Sequence, residues 1–171
     1  MRSIPKRPAR AVLIALTLVG MHGCGYSVRP PYDPGIRTVY VPMFTAITFR
    51  RDLNIQLTEL VIKEIERRTP FKVVGSPQGA DSTLEGVIAY ADKNLLVEAP
   101  NNLPRHVLVS LLVTVKWTDN REGIEYKPVQ PVVFANTMAL YPELGETTSL
   151  AYQKSMAKLA RDIVNAMEQP W

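Results

Sequence analysis

Val107 to Trp117 constrains the fold of this chain more than any other stretch. Val107, Val109, Leu111, Val113, Val115 and Trp117 occupy every second position, and Leu108, Ser110, Leu112, Thr114 and Lys116 fill the gaps. Alternation with β-branched residues at this density is a strand, because successive side chains of an extended backbone point to opposite faces. One face is fully apolar and the other mixed, so this strand belongs to a sheet covered on one side and partly solvated on the other.

Two helices are predicted to supply the cover. Asp52 to Arg68 places Leu53, Leu57, Leu60, Val61 and Ile65 on one face, with Gln56, Glu59, Lys63, Glu66 and Arg67 opposite. Ile55 and Ile62 widen the apolar face. Asp52 is suited to the N-cap, and Thr69-Pro70 stops the helix because a residue before proline avoids the α region. Glu59–Lys63 and Glu64–Arg68 stand four apart in the favourable order, worth about 0.3 kcal/mol each. A second helix starts with Thr147 or Thr148 as its cap and runs to about Met167. Its stripe is Tyr152, Met156, Leu159, Ala160, Ile163, Val164 and Met167. The opposite side is mixed in charge, as on a core-facing helix and unlike a basic membrane-surface helix.

Further strands are read at Ile36 to Pro42 and Phe71 to Val74. A long one runs from Thr83 to Val97, with a kink near Asp92-Lys93-Asn94. Glu98 to Pro104 is a polar, proline-rich connection. Asp119 to Gly123 is a hairpin loop, Ile124 to Lys127 starts the return strand, and Pro128 and Pro131 mark a bulge or edge before Val132 to Leu140. The order is β-α-β-β-β-α. It implies an α+β two-layer sandwich, with a mixed, mostly antiparallel sheet of about four strands and two helices on one face.

The start of the chain is of another kind. Arg2, Lys6, Arg7 and Arg10 precede an apolar run that leads into Met21-His22-Gly23-Cys24, with no acidic residue before it. This is the pattern of a secretory signal peptide over residues 1–23, and the run is too short for the roughly 20 residues of a membrane span. The overall formal charge of +4 resides in those four residues, so the remainder is neutral and the argument for a nucleic-acid partner disappears. The sole cysteine excludes an internal disulfide. Gly23-Cys24 resembles the lipobox of bacterial lipoproteins, which implies cleavage before Cys24 and lipid on its sulfur; the competing reading is a buried or unpaired thiol near an ordinary cleavage site. Residues 24–35, rich in Pro and Gly, are either an extended tether or an ordered segment lying against the sheet. The single domain is then 36–171.

A search for chemistry yields little. The two histidines are His22, in the signal region, and His106, read as a surface residue. No nucleophile elbow, zinc-protease helix, P-loop or dinucleotide motif occurs. The reading is therefore non-enzymatic, with no metal and no cofactor. Arg50-Arg51 reads as a solvated turn. Lys93, Arg105 and Lys127 lie at strand ends or loops. Each is either a solvated surface charge or a donor to the phosphates of an anionic lipid.

Several local features nevertheless line up. Gly23-Cys24-Gly25-Tyr26, then Val39-Tyr40-Val41-Pro42-Met43-Phe44, then a helix with Leu57-Thr58-Glu59, then a closing helix ending in Ala166-Met167-Glu168-Gln169-Pro170-Trp171 resemble the LPS-assembly lipoprotein LptE family, in its planctomycete-like version. Family members often carry Asn soon after the Val-Pro-x-Phe block; this chain has Thr45-Ala46-Ile47-Thr48. The resemblance implies lipid anchoring in the inner leaflet of the outer membrane, on its periplasmic face. Gly25 agrees with this, since Asp after the cysteine is the usual retention signal. It also implies a role as plug and scaffold of the LptD β-barrel and binding of lipopolysaccharide. A lipoprotein taking a small hydrophobic ligand or peptide, without a barrel, is the alternative.

Overall fold

The computed structural model describes residues 32–48, 52–98, 104–121 and 131–168, with the side chains of 97, 98, 104 and 105 outside the description. Within these residues the elements are β1 (Thr38–Tyr40), β2 (Thr45–Ala46), α1 (Asp52–Arg68), β3 (Lys72–Val74), β4 (Ser82–Glu98), β5 (Pro104–Asp119), β6 (Val132–Leu140), a 3-10 turn at Pro142–Leu144, and α2 (Thr148–Asn165). They form one mixed sheet in the order β3-β1-β4-β5-β6, with β2 beside β4. The α+β class is as expected. The sheet has six strands rather than about four: the short strand read at Phe71 to Val74 is present as β3, and β2, only two residues long, is too short for alternation to register.

The parallel part comes from a crossover. β1 pairs in parallel with both β3 and the start of β4, and α1 spans the gap between β1 and β3. The antiparallel part is β4-β5-β6, in which Val113 stands opposite Ile88 on one side and Phe134 on the other. Val107 to Val115 at odd positions are buried, as are Leu53, Leu57, Val61 and Ile65 of α1 and Tyr152, Met156, Leu159, Ala160, Ile163 and Val164 of α2. This is the single core that the two stripes were expected to make.

Thr58, a buried polar residue of α1, has its hydrogen bonds in place. Thr58 Oγ1 donates to Asn54 O at 2.7 Å and accepts from Phe44 N at 3.0 Å, so the helix holds the chain that enters β2. The two helical ion pairs form at 3.7 Å for Glu59–Lys63 and 3.5 Å for Glu64–Arg68. Thr147 is the N-cap of α2, its Oγ1 accepting from Leu150 N at 3.2 Å. Thr147→Ala is expected to cost about 1 kcal/mol and to lower the melting temperature by about 3 °C, as calorimetry would read.

Two expectations about the long strands are corrected. The irregularity in β4 is not at Asp92–Asn94 but at register shifts between Ile88 and Tyr90 and between Leu95 and Val97. One inserted residue exchanges the faces of everything beyond it. Leu84, Gly86 and Ile88 face the helices before the shift; Ala91, Lys93 and Leu95 stand opposite the helix-facing Leu111, Val109 and Val107 after it. β5 also begins at Pro104, not Val107; proline is tolerated at a first strand position because no ladder donor is needed there.

Candidate functional site at the two ends of the long hairpin

β4 and β5 form a hairpin running from Ser82 and Asp119 at one end to Glu98 and Pro104 at the other. Sixteen strand residues at about 3.3 Å each make it about 50 Å long. The two ends differ in chemistry.

The Ser82–Asp119 end is an ionic clasp. Asp119, whose side chain is 2% exposed, accepts from Arg121 Nε at 3.0 and 3.1 Å and from its backbone N at 2.9 Å. The same guanidinium reaches Asp33 Oδ2 at 3.0 Å, and Asp33 Oδ1 accepts from Gly35 N at 2.8 Å. A Cβ on Gly35 would meet the tip of the Arg121 guanidinium, which would have to shift to make room. Asp81 accepts from the backbone N–H of Arg37 and of Thr38, both at 2.8 Å. Asn120 donates to Thr83 Oγ1 at 2.7 Å. These bonds hold Asp119 below the ordinary carboxylate range, chiefly through the Arg121 side chain, and Asp81 likewise through the two backbone donors. Tyr32 completes the clasp. It is buried against Phe71, ring centroids 5.3 Å apart and nearly perpendicular, and its hydroxyl donates to Glu168 at 3.3 Å. Residues 32–35, read from sequence within the tether segment, therefore pack against the domain.

The Glu98–Pro104 end carries one of the predicted cations. Lys93 is exposed, stands opposite Val109, and has Leu95 and Leu96 beside it, 46% and 53% exposed. The backbone of Arg105 is four residues from Val109, about 13 Å along β5, so both belong to this end of the hairpin. Lys127, Cys24, Arg50 and Arg51 lie outside the described residues. His106 is not on the surface as expected: it is half-buried, its ring stacked on Tyr141 at 4.9 Å with planes 8° apart, and its Nε2 is buried without a partner.

The sheet face turned away from the helices bears Leu108, Ser110, Leu112 and Thr114, half-buried, beside the exposed Val133, Ala135, Thr137 and Ala139. Ser110 and Thr137 hydroxyls lie 3.2 Å apart. A recess between β6 and the start of α2, lined by Met138, Leu140, Leu150, Ala151, Glu146 and Lys154, encloses about 170 Å³ including open solvent, below the roughly 300 Å³ at which small-molecule sites begin. Among the described residues, no cluster of three His, Cys, Asp or Glu is placed to hold a metal, and no helix is long and apolar enough to cross a membrane.

A two-layer α+β domain with both helices on one face, a clasped amino-terminal segment and a projecting hairpin is thus defined by the coordinates. The chain belongs to the LptE lipopolysaccharide-assembly family, whose pattern residues 36–167 match. The same fold occurs in the uncharacterized lipoprotein B of Nitrosomonas europaea, at 15% identity and TM-score 0.55, covering 83% of this chain and 89% of that one. It occurs in the rare lipoprotein B of Shewanella oneidensis, at 12% identity and TM-score 0.51, covering 77% and 93%. A hypothetical protein of Chlamydia trachomatis has it too, at 10% identity and TM-score 0.57, covering 76% and 94%. No curated protein matches the chain. What the family contributes to function is lipopolysaccharide assembly.

Proposed function

We propose that this chain is a non-enzymatic outer-membrane lipoprotein, anchored on the periplasmic face through Cys24 once residues 1–23 are removed, that serves an LptD-type β-barrel as scaffold and plug. Membership of the lipopolysaccharide-assembly family over residues 36–167 carries this reading. The hairpin end supports the choice of ligand. An exposed Lys93 beside exposed Leu95 and Leu96 offers a cation and aliphatic surface within one stretch, as a phosphorylated, acylated glycolipid requires. Arg105 and Lys127 are proposed to add to the phosphate contacts.

Three measurements test it. Affinity capture of the chain from detergent-solubilised outer membrane is expected to bring down a large β-barrel and lipopolysaccharide; capture of neither counts against the assignment. Lys93→Glu should weaken lipopolysaccharide capture about tenfold, the effect of losing about 1.4 kcal/mol, with the melting temperature unchanged. For the anchor, labelled palmitate should enter the wild-type chain and not Cys24→Ala.

A further inference from the structure

The edges of the sheet differ in how they are closed. An open edge offers unpaired backbone donors and acceptors to another strand, and shortness, charge, proline or a bulge ordinarily blunts it. β3, one outer strand, is three residues long and carries Lys72. β4 beyond Ile88 pairs, among the described residues, with β5 alone; there it carries Asp92, Lys93 and register shifts. β6, the other outer strand, has none of these devices. Its nine residues Val132–Leu140 include no charge and no proline, and its register with β5 runs unbroken from Val132 to Leu140.

The helical layer also stops short of this edge. The helix-facing residues Val107 to Val115 of β5 are 0–5% exposed, whereas Phe134, Asn136 and Met138, opposite them on β6, are only half-buried. The recess walled by Met138, Leu140, Leu150 and Ala151 has no residue of β5 in its lining, so it lies on the free side of β6. Glu146 and Lys154 pair at its rim, 3.6 Å apart. Below the small-molecule range, it suits a side chain delivered by a neighbouring strand. Residues 122–130 join Arg121 to Pro131 by ten links, at most about 36 Å of chain. Out and back they reach no further than Asn136, so they cannot close the edge over Thr137 to Leu140.

We infer that β6 pairs antiparallel with β6 of a second copy of this chain, joining two sheets edge to edge. The strand's own sequence selects this occupant. Full overlap about a two-fold axis at Asn136 sets Val132 opposite Leu140 of the copy and Phe134 opposite its Met138, on the helix-facing side. On the other side Val133 meets Ala139 and Ala135 meets Thr137. Each copy thus brings Phe134 and the 37% exposed Val132 to the recess of the other, where Met138 and Leu140 stand. Asn136, bonded to Ser155 at 2.9 Å, meets its counterpart on the axis. No like charges are opposed, and one patch serves both chains, as two-fold pairing requires. This goes beyond the barrel role and depends on neither the barrel nor the anchor. Nine strand residues a side, against the roughly 20–30 of a standard interface, make a weak dimer.

Sedimentation equilibrium tests it. The chain from residue 24, carrying Cys24→Ala, keeps every described residue and cannot form a disulfide dimer. It should associate with a dissociation constant on the order of 100 μM. Ala135→Glu with Thr137→Glu places like charges in two directly opposed pairs and should weaken the dimer about tenfold. Ala135→Lys with Thr137→Glu places opposite charges in the same pairs and should restore association to the parent value or tighter. Both positions are exposed, so the melting temperatures of dilute monomer should agree. A monomer at every concentration up to about 1 mM overturns the inference. So does a dimer that ignores both double variants or is weakened equally by both, since pairing would then use another surface.

Discussion

Arg121→Ala is expected to destabilise the domain by about 3 kcal/mol, the range for removing one partner of a buried ion pair and leaving the other charged. The figure is set at the lower limit because Arg121 is 22% exposed, whereas Asp119, the group left behind, is 2% exposed. The loss has a local part. Without the guanidinium, Asp33 keeps only its turn with Gly35 and Ile36, so amide exchange over residues 33–38 should accelerate more than exchange in α1 or β5. pH separates the electrostatic origin from simple loss of packing. Asp119 is held below its ordinary value in the folded chain, so its contribution is fully present above about pH 4 and is lost as pH falls through the lower, folded value. In Arg121→Ala the buried carboxylate has no cation, and protonation relieves it. The gap in stability between the two chains should therefore narrow as pH drops below about 4. Asp119→Asn added to Arg121→Ala should recover part of the loss at neutral pH, because the amide buries no charge. A gap independent of pH, with no rescue, would mean that Arg121 acts by packing alone.

That clasp also shows where reading the sequence stops. Its members, Asp33, Asp81, Asp119 and Arg121, are up to 88 residues apart, and each one alone looks like a loop charge. Nothing in a linear pattern says that the turn after β5 and the turn before β4 meet the amino-terminal segment. The two helices were legible because burial on one side imposes a period that 17 or 18 residues repeat several times. β5 was legible for the same reason at period two. β2 is too short to repeat anything. The register shift at Ile88/Tyr90 was invisible because Val87, Ile88, Ala89, Tyr90 and Ala91 form an uninterrupted apolar run, in which either parity fits the core. Of the candidate site, Lys93 and the backbone of Arg105 fall toward one end of one hairpin, whereas the sequence pattern placed each only singly, near a strand end or loop. The half-buried place of His106 was hidden, because it depends on Tyr141, 35 residues away in sequence and brought alongside by β6.

Gly86→Ala should cost about as much as the loss of Arg121, for a wholly apolar reason. Gly86 lies in β4 opposite Val115 and is not among the positive-φ glycines, so backbone freedom is not what glycine provides. Space is. A Cβ at this position would stand 2.5 Å from Phe44 Cδ2 and 2.7 Å from Cζ, well inside van der Waals contact. The Phe44 ring, 1% exposed, lies against the bare backbone of Gly86. It cannot retreat easily, because its own N–H is bonded to Thr58 and its carbonyl to Asn54, and α1 stands behind both. Overpacking of a tight site costs about 1–3 kcal/mol, and a clash with a buried ring whose backbone is held at both its N–H and its carbonyl belongs at the upper limit. Phe44→Leu alone leaves a void over Gly86 and should cost about 1–2 kcal/mol. The double variant is the decisive measurement. If the ring and the missing Cβ occupy the same space, the two losses must not add: Gly86→Ala with Phe44→Leu should be more stable than the sum of the singles by at least 1 kcal/mol, as residues in direct contact allow. Urea unfolding of the four chains gives that coupling directly. Strict additivity would mean that Gly86 is required by the strand itself, and that the Val-Pro-x-Phe block owes its phenylalanine to α1 alone.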